Sequence, residues 1–153
     1  MLLLRLVESL NRARVPYALV GGYAVALHGA VRGTVDIDIV LRFTERDFKG
    51  AEKALRRISL EPRLPVTASD LFRYREEYIR NRNLTAWSFV NPARPSELVD
   101  VILTHDLSKM KLKRVRIQGR LIRLASIEDL IKMKSECGRP QDLEDVKALR
   151  KLL

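Results

Sequence analysis

The sequence DIDIV, residues 36–40, places two carboxylates one residue apart in a stretch that otherwise favours a buried β-strand. Side chains alternate between the two faces of a strand, so Asp36 and Asp38 share one face while Ile37 and Ile39 share the other. Burying an unpaired carboxylate is costly, so the acidic face needs a cation, hydrogen bonds or open water beside it. This strand therefore belongs either to a functional site or to a solvent-exposed face of a sheet.

A third aspartate, Asp100, stands between apolar residues in ELVDVIL. If its strand lies beside that of Asp36 and Asp38, three carboxylates converge. Carboxylate oxygens suit Mg²⁺ or Mn²⁺, and three are enough for two ions that polarise an attacking hydroxyl and stabilise a leaving phosphate oxygen. The alternative is that all three aspartates lie on the wet face of half-exposed strands.

Residues on either side of the acidic strand extend the pattern. Gly21 and Gly22 end one predicted strand and begin a helix, where backbone N–H groups can approach a phosphate without an intervening side chain. Arg32 and Thr34 stand shortly before Asp36 and supply a cation and a hydroxyl at the same strand entrance. The combination of these residues with the two aspartates indicates a functional site much more specifically than the acidic pair alone.

Hydrophobic periodicity predicts helices and strands in mixed order. The later strands follow one another in a run, which favours an α+β fold with a small mixed β-sheet flanked by helices and closed by a C-terminal helical pair. We expect one domain over residues 1–153. The predicted helices are 2–13, 23–29, 45–58, 70–83, 126–137 and a last one from Pro140, with Leu143, Val146, Leu149 and Leu153 on its apolar face; the predicted strands are 17–20, 36–43, 84–90, 97–104 and a hairpin over 114–125.

Composition limits the partners and the compartment. Lys and Arg number 29 against 19 Asp and Glu, a formal net charge of +10 that favours nucleic acid, a nucleotide or an acidic protein as partner. A well-solvated Arg-rich surface is the alternative. The single cysteine, Cys137, excludes an internal disulfide, and the apolar runs are too short to cross a bilayer. We therefore expect a cytoplasmic protein with no membrane partner.

A basic run, KMKLKRVRIQGRLIR, covers the predicted hairpin. On a hairpin it forms a cationic ribbon suited to the phosphate backbone of RNA, such as a tRNA end. The alternative is that the charges protect an exposed strand edge from aggregation. The cations concerned are Lys109, Lys111, Lys113, Arg114 and Arg116, followed by Arg120 and Arg123.

The stretch GGYAVALHGAVRGTVDIDIV resembles the signature of the polymerase-beta-type nucleotidyltransferase superfamily. It is most similar to the branch of minimal and abortive-infection-toxin-type (MNT-like) nucleotidyltransferases. Asp100 falls where that family has its third carboxylate, and IEDLIKMKSECGRPQDLEDVKAL resembles its C-terminal segment with Lys, Gly-Arg and Asp-x-x-Asp. Many members have Gly-Ser in place of Gly21-Gly22, so a serine contact to phosphate would be absent here.

The resemblance implies a fold of the nucleotidyltransferase type and a metal-dependent transfer of a nucleotidyl group. A hydroxyl would attack the α-phosphate of a nucleoside triphosphate, pyrophosphate would leave, and Asp100 would help to deprotonate the attacking hydroxyl. The implied catalytic residues and ligands of Mg²⁺ or Mn²⁺ are Asp36, Asp38 and Asp100; the implied nucleotide-binding residues are Gly21, Gly22, Arg32, Thr34, Lys134 and Arg139.

The resemblance also implies an acceptor: a hydroxyl of RNA, such as a tRNA end, or of a helical partner protein in a toxin–antitoxin-like pair. Two alternatives stay open. One is a non-catalytic basic domain that binds nucleic acid or an acidic protein, and the other is an antibiotic nucleotidyltransferase, for which the charge of +10 is unfavourable because such drugs are often cationic. No motif in the sequence indicates the preferred base.

Overall fold

A computed structural model describes residues 1–30 and 36–153. Within these residues the chain forms seven helices and seven strands, with a single 3₁₀ turn at Leu107–Lys109. The elements in chain order are α1 Leu2–Arg12, β1 Ala18–Val20, α2 Gly21–Leu27, β2 Ile37–Val40, α3 Glu45–Arg57, β3 Glu61–Pro62, α4 Ala68–Arg73, α5 Arg75–Arg82, β4 Ala86–Asn91, β5 Arg94–Ile102, β6 Leu112–Ile117, β7 Arg120–Ala125, α6 Ile127–Cys137 and α7 Pro140–Arg150.

The seven strands form one sheet in the order β3-β4-β5-β2-β1-β7-β6. The β2–β5 and β1–β7 pairs are parallel, and the other neighbours are antiparallel. The predicted α+β class with a mixed sheet is therefore confirmed. No helix among the described residues is long and apolar enough to span a bilayer.

One face of the sheet carries the main core. Ile39, Val101 and Trp87 are neighbours in register on β2, β5 and β4, and all three are buried. Phe48 of α3 stacks on Trp87 with ring centroids 6.0 Å apart, so α3 covers this face. Alternation along the strands then places the neighbours of Ile39 and Val101, Asp38 and Asp100, on the opposite face.

The predicted helix over 70–83 is wrong in one respect, because two short helices occupy this segment. The backbone leaves helical geometry at Tyr74, between α4 and α5, and Asn83 ends α5 in the left-handed conformation. Arg75, which begins α5, donates a hydrogen bond to the carbonyl oxygen of Leu103 and lies over the ring of Phe43. These contacts anchor α5, which buries no side chain of its own.

Both C-terminal helices begin as predicted and α6 also ends as predicted, whereas α7 ends at Arg150 and does not reach Leu153. The Ser126 hydroxyl accepts a hydrogen bond from the backbone of Asp129 and caps α6, Gly138 ends it at φ +67°, and Pro140 opens α7. These short-range signals act within a few residues, which is why the sequence alone indicates them.

The predicted inward face of α7 is wrong. Leu143 and Leu153 are 50% and 70% exposed, whereas Val146 and Leu149 are buried. The buried stripe is Asp142, Asp145, Val146 and Leu149, with the i, i+3, i+4, i+7 spacing of one helix face. The helix is turned to bury two carboxylates, because a lysine of α6 pairs with both, as described below.

Candidate active site

Parallel pairing of β2 and β5 brings two of the predicted carboxylates together. Asp38 and Asp100 are direct partners in the register, and the next neighbours on either side are Val20 of β1 and Ser88 of β4. The two aspartates therefore stand side by side on the face of the sheet opposite α3. Asp36 lies just before β2 and is exposed.

Several charged side chains surround Asp38 and change the pKa of its carboxyl. Burial, followed by the negative charges of Asp100 and Asp36, raises the pKa of its carboxyl to about 6. Lys134 and Arg139 act in the opposite sense and lower it. The site thus gathers three interacting carboxylates and two cations, and the carboxylates dominate at Asp38.

Ser88 is a site residue that the sequence did not reveal. Its hydroxyl donates a hydrogen bond of 2.5 Å to Oδ1 of Asp100 from the neighbouring strand β4. The hydrogen bond orients one oxygen of Asp100. Only the strand register shows this contact, because serine in the middle of AWSFV has no distinctive local pattern.

Gly21 makes room for Asp38. It begins α2 with φ +67°, and a Cβ built on it would overlap the Oδ2 atom of Asp38. Gly22, the other predicted nucleotide-binding glycine, is buried in the first turn of α2. Glycine at position 21 is therefore required by the backbone conformation and by the neighbouring carboxylate, in addition to any approach of phosphate.

Lys134 and Arg139 lie in the same cleft, but both have carboxylate partners. Lys134 Nζ is 3.3 Å from Asp142 Oδ1 and 3.1 Å from Asp145 Oδ2, and Arg139 Nε is 2.7 Å from Asp142 Oδ2. Lys134 is only 8% exposed and Asp142 is fully buried. Burial opposes ionisation of Asp142, yet hydrogen bonds from Arg139 and Lys134 hold its pKa below the usual value.

An open cleft of about 860 Å³ joins these groups. From Asp100 it follows β5 past Ile102 to Thr104, where His105 adds a second polar region. His105 Nδ1 is 3.0 Å from the Thr104 hydroxyl and its Nε2 is 3.2 Å from Glu136. This part of the cleft was not predicted, since His105 had no recognisable partner in the sequence.

The other histidine is structural. His28, at the end of α2, places Nε2 2.8 Å from the carbonyl oxygen of Ala125 and so joins α2 to β7. Arg32 and Thr34, which were predicted to contact the nucleotide, lie outside the described residues. Neither histidine belongs to a metal-binding cluster: no three His, Cys, Asp or Glu side chains in residues 1–30 and 36–153 are arranged to hold a metal ion.

The metal centre of Asp36, Asp38 and Asp100 stays a prediction. The donor chemistry still fits a hard divalent cation, because Asp38 and Asp100 offer adjacent oxygens whose mutual repulsion a cation would relieve. Mg²⁺ is commonly held by one or two carboxylates together with substrate phosphates, so two protein ligands are sufficient when a nucleotide completes the shell.

The family comparison settles the general class. The family described as "Nucleotidyltransferase of unknown function (DUF6036)" matches residues 3–151. This chain belongs to that nucleotidyltransferase family. The membership confirms that the chain is a nucleotidyltransferase by family, while the polymerase-beta-type superfamily and its MNT-like branch stay predictions.

Solved structures show the same fold at low sequence identity. The lincosamide antibiotic adenylyltransferase LnuA has a TM-score of 0.67 at 13% identity, over 99% of this chain and 96% of its own. The antibiotic-resistance factor ANT(2″)-Ia has a TM-score of 0.63 at 15% identity, and the match covers 99% of this chain and 80% of that protein. An antigenic nucleotidyltransferase-like protein from Paracoccidioides brasiliensis has a TM-score of 0.60 at 19% identity, and the match covers 96% of this chain and 72% of that protein. No curated protein matches this nucleotidyltransferase by sequence.

Proposed function

We propose that this nucleotidyltransferase moves a nucleoside monophosphate from a nucleoside triphosphate to a hydroxyl group in a metal-dependent reaction. The observation that carries the proposal is the side-by-side placement of Asp38 and Asp100 in the β2–β5 register. These two carboxylates line an open cleft together with Gly21, Lys134 and Arg139. Membership of a nucleotidyltransferase family supports the same reaction class.

In this proposal the acidic residues bind the metal ion, and Gly21 and the basic residues lie beside the phosphates. Asp38 and Asp100, with Asp36 beside them, would hold Mg²⁺ or Mn²⁺, which supplies charge neutralisation at the transferred phosphoryl group. Gly21 leaves the start of α2 without a side chain on the cleft side, where the phosphates of a nucleotide would approach. Lys134 and Arg139 provide the positive charge beside the phosphates.

In the reaction the acceptor oxygen forms a bond to the α-phosphorus, and the bond to the bridging oxygen of the β-phosphate breaks. Pyrophosphate leaves with that electron pair, and the proton of the hydroxyl passes toward Asp100 or to water. The reaction needs positioning and charge stabilisation more than an acid–base pair. Ser88 contributes to positioning because it fixes one Asp100 oxygen.

For the acceptor we propose RNA, such as a tRNA end, bound in part by the basic hairpin β6–β7. β6 is an edge strand, so its backbone and charges face solvent. The alternatives are a hydroxyl of a helical partner protein, in a toxin–antitoxin-like pair, or a small antibiotic. The cations in question lie on β6 and in the segment that leads into it, and all are exposed: Lys109, Lys111, Lys113, Arg114 and Arg116.

The first test is calorimetric titration of ATP, GTP, CTP and UTP with Mg²⁺. The variants are Asp38→Asn, Asp100→Asn and, as a matched control, Asp70→Asn at an exposed position of α4. We expect binding that requires metal, is lost in the first two variants and is retained in the control. Binding of no triphosphate by the native chain would overturn the proposal and favour a non-catalytic basic domain.

The acceptor is tested by transfer of label from α-³²P-labelled triphosphate. Total tRNA, cell lysate protein, lincomycin and tobramycin are offered separately, each with the native chain and with Asp100→Asn. We expect label on RNA, and a reduced rate when Lys113→Glu and Arg116→Glu are combined. Label on either drug alone would establish the antibiotic alternative, and label on protein alone would establish the partner-protein alternative.

A further inference from the structure

A second, basic cleft lies on the far side of the fold from the carboxylates. It occupies about 550 Å³ between α3 and the turn that joins α1 to β1. Gly50 of α3 permits the close approach of these parts, since a Cβ there would press on the Val15 side chain. α3 covers the sheet face opposite Asp38, because Phe48 stacks on Trp87. The basic cleft is therefore separate from the candidate active site.

Most of its positive charge has no internal partner. Asp47 is buried and paired with Arg42 at 2.6 Å, and Glu45 lies 3.9 Å from Lys49, so neither acid neutralises the remaining cations. Four exposed side chains line the cleft and form no hydrogen bond or ion pair within the described residues. They are Arg14, Arg46, Lys53 and Arg57.

One of these cations stands where its own helix does not favour it. Arg46 lies in the first turn of α3, where the helix dipole disfavours positive charge. An anion bound in the cleft would offset this unfavourable placement.

The arrangement fits an extended phosphate backbone. Arg46, Lys53 and Arg57 follow one face of α3, and the eleven helical rises from residue 46 to residue 57 cover about 16 Å at 1.5 Å each. No aromatic side chain is among the described residues that line the cleft. Proteins that bind single strands generally stack bases on aromatic rings, whereas phosphate contacts to a duplex need only cations.

We propose that this cleft binds the phosphate backbone of a nucleic-acid duplex, independently of sequence and of nucleotidyl transfer. The ligand class is a double helix of RNA or DNA, which the same phosphate chemistry would recognise. The proposal does not depend on the reaction at Asp38 and Asp100, so the two can fail separately.

The test measures fluorescence anisotropy of labelled 16-base-pair RNA and DNA duplexes, a single strand of the same length and polyglutamate. Arg46→Glu combined with Lys53→Glu removes two contacts. The matched control is Arg150→Glu combined with Lys151→Glu, an equal change of charge at two exposed residues near the C-terminus. A third variant combines Lys113→Glu and Arg116→Glu in the hairpin.

The two charge reversals in the cleft, Arg46→Glu and Lys53→Glu, are compatible with the fold. Glutamate at position 46 suits the helix N-terminus, and glutamate at 53 faces Lys49 and Arg57 at i±4. Thermal melting of each variant checks this directly, and calorimetry with ATP and Mg²⁺ shows whether the other site is intact. If the double reversal unfolds the chain, Arg57→Gln with Lys53→Gln replaces it.

We expect duplex affinity to fall at least tenfold in the cleft variant and less than threefold in the control. The slope of log Kd against log salt concentration should decrease by about 2, one unit for each lost phosphate contact. The proposal is overturned if the duplex does not bind, if cleft and control variants behave alike, or if only the hairpin variant loses affinity. Preference for polyglutamate or for the single strand over the duplex also overturns it.

Discussion

The Asp38 carboxylate fills the space that a side chain at position 21 would need. The Oδ2 atom of Asp38 overlaps the Cβ position built on Gly21, which has φ +67°. Gly119, at the hairpin turn, has a similar φ of +78° but nothing within 4 Å of its Cβ position. Alanine at either position would have a strained backbone, but only alanine at position 21 would also collide with Asp38. Comparison of the two substitutions therefore separates the two effects.

We predict that Gly21→Ala is destabilising and eliminates triphosphate binding, whereas Gly119→Ala is mildly destabilising and leaves binding intact. Left-handed strain costs about 1 kcal/mol in both variants. Gly21→Ala must also displace Asp38, which we expect to add about 2 kcal/mol. Urea unfolding and calorimetry measure the two effects, and equal behaviour of the variants would contradict the role of Gly21.

The hydrogen bond from Ser88 to Asp100 predicts a weaker metal site in Ser88→Ala. Loss of a group that orients a ligand typically lowers metal affinity about 10- to 100-fold. The Mg²⁺ concentration needed for half-maximal ATP binding should rise by that factor. Ser135→Ala, at an exposed position of α6, is the control; an unchanged Mg²⁺ requirement in Ser88→Ala would show that Asp100 needs no orienting partner.

The raised pKa of Asp38 predicts that the free energy of unfolding of the metal-free protein depends on pH. The unfolded chain loses the Asp38 proton near the ordinary pKa of 3.8, whereas the folded chain keeps it to a pKa of about 6. Between these values the folded state binds more protons, so the stability that Asp38 contributes falls as pH rises. A shift of about two pKa units corresponds to about 3 kcal/mol.

We therefore expect Asp38→Asn to be more stable than the native chain at pH 7 in EDTA, by up to about 3 kcal/mol, and to match it at pH 4. Urea unfolding at pH 4, 5.5 and 7 measures the difference. The exposed substitution Asp70→Asn should show no such trend. If the free energy of unfolding changed with pH in the same way for the native protein and for Asp38→Asn, folding would not disfavour the ionised form of Asp38.

The buried pair of Lys134 and Asp142 predicts strong energetic coupling. Removing Lys134 leaves the buried Asp142 and Asp145 short of positive charge, and removing Asp142 leaves Lys134 with Asp145 as a remaining partner. Each single variant thus breaks a buried ion pair, which costs about 3 kcal/mol. Lys134→Met combined with Asp142→Asn should therefore be much less destabilising than the sum of the single variants. The exposed pair Lys147–Glu144, at 3.5 Å, is the matched control, with an expected coupling of about 0.5 kcal/mol or less. Similar coupling in both cycles would contradict a buried structural pair.

The buried pair also changes the interpretation of the C-terminal motif. Lys134 and Arg139 were predicted to contact nucleotide, which stays a prediction, and the structure shows that each contacts Asp142. The carboxylates thus hold two cations beside the cleft. The sequence suggested the cations through the family resemblance, but helix packing shows what supports them.

Local chemistry accounts for most of what could be predicted. The Ser126 cap, the Gly138 stop and the turn at Gly119 operate over a few neighbouring residues, so the C-terminal helices and the hairpin were predictable. The break at Tyr74 was not, because α5 is anchored by Arg75 through contacts to distant parts of the chain. Propensity alone favours a continuous helix there.

By itself the sequence determined the mixed α+β class, the strand that bears Asp38, and the signature of a nucleotidyltransferase, although Asp36 lies just before that strand and not on it as predicted. These properties follow from alternation, capping and turn residues, which depend on short-range geometry. Only the tertiary structure decided that Asp100 lies beside Asp38, that Ser88 supports it, and that α7 turns its aspartates toward Lys134. Those relationships depend on strand register and helix rotation, which are set by packing between residues far apart in the chain.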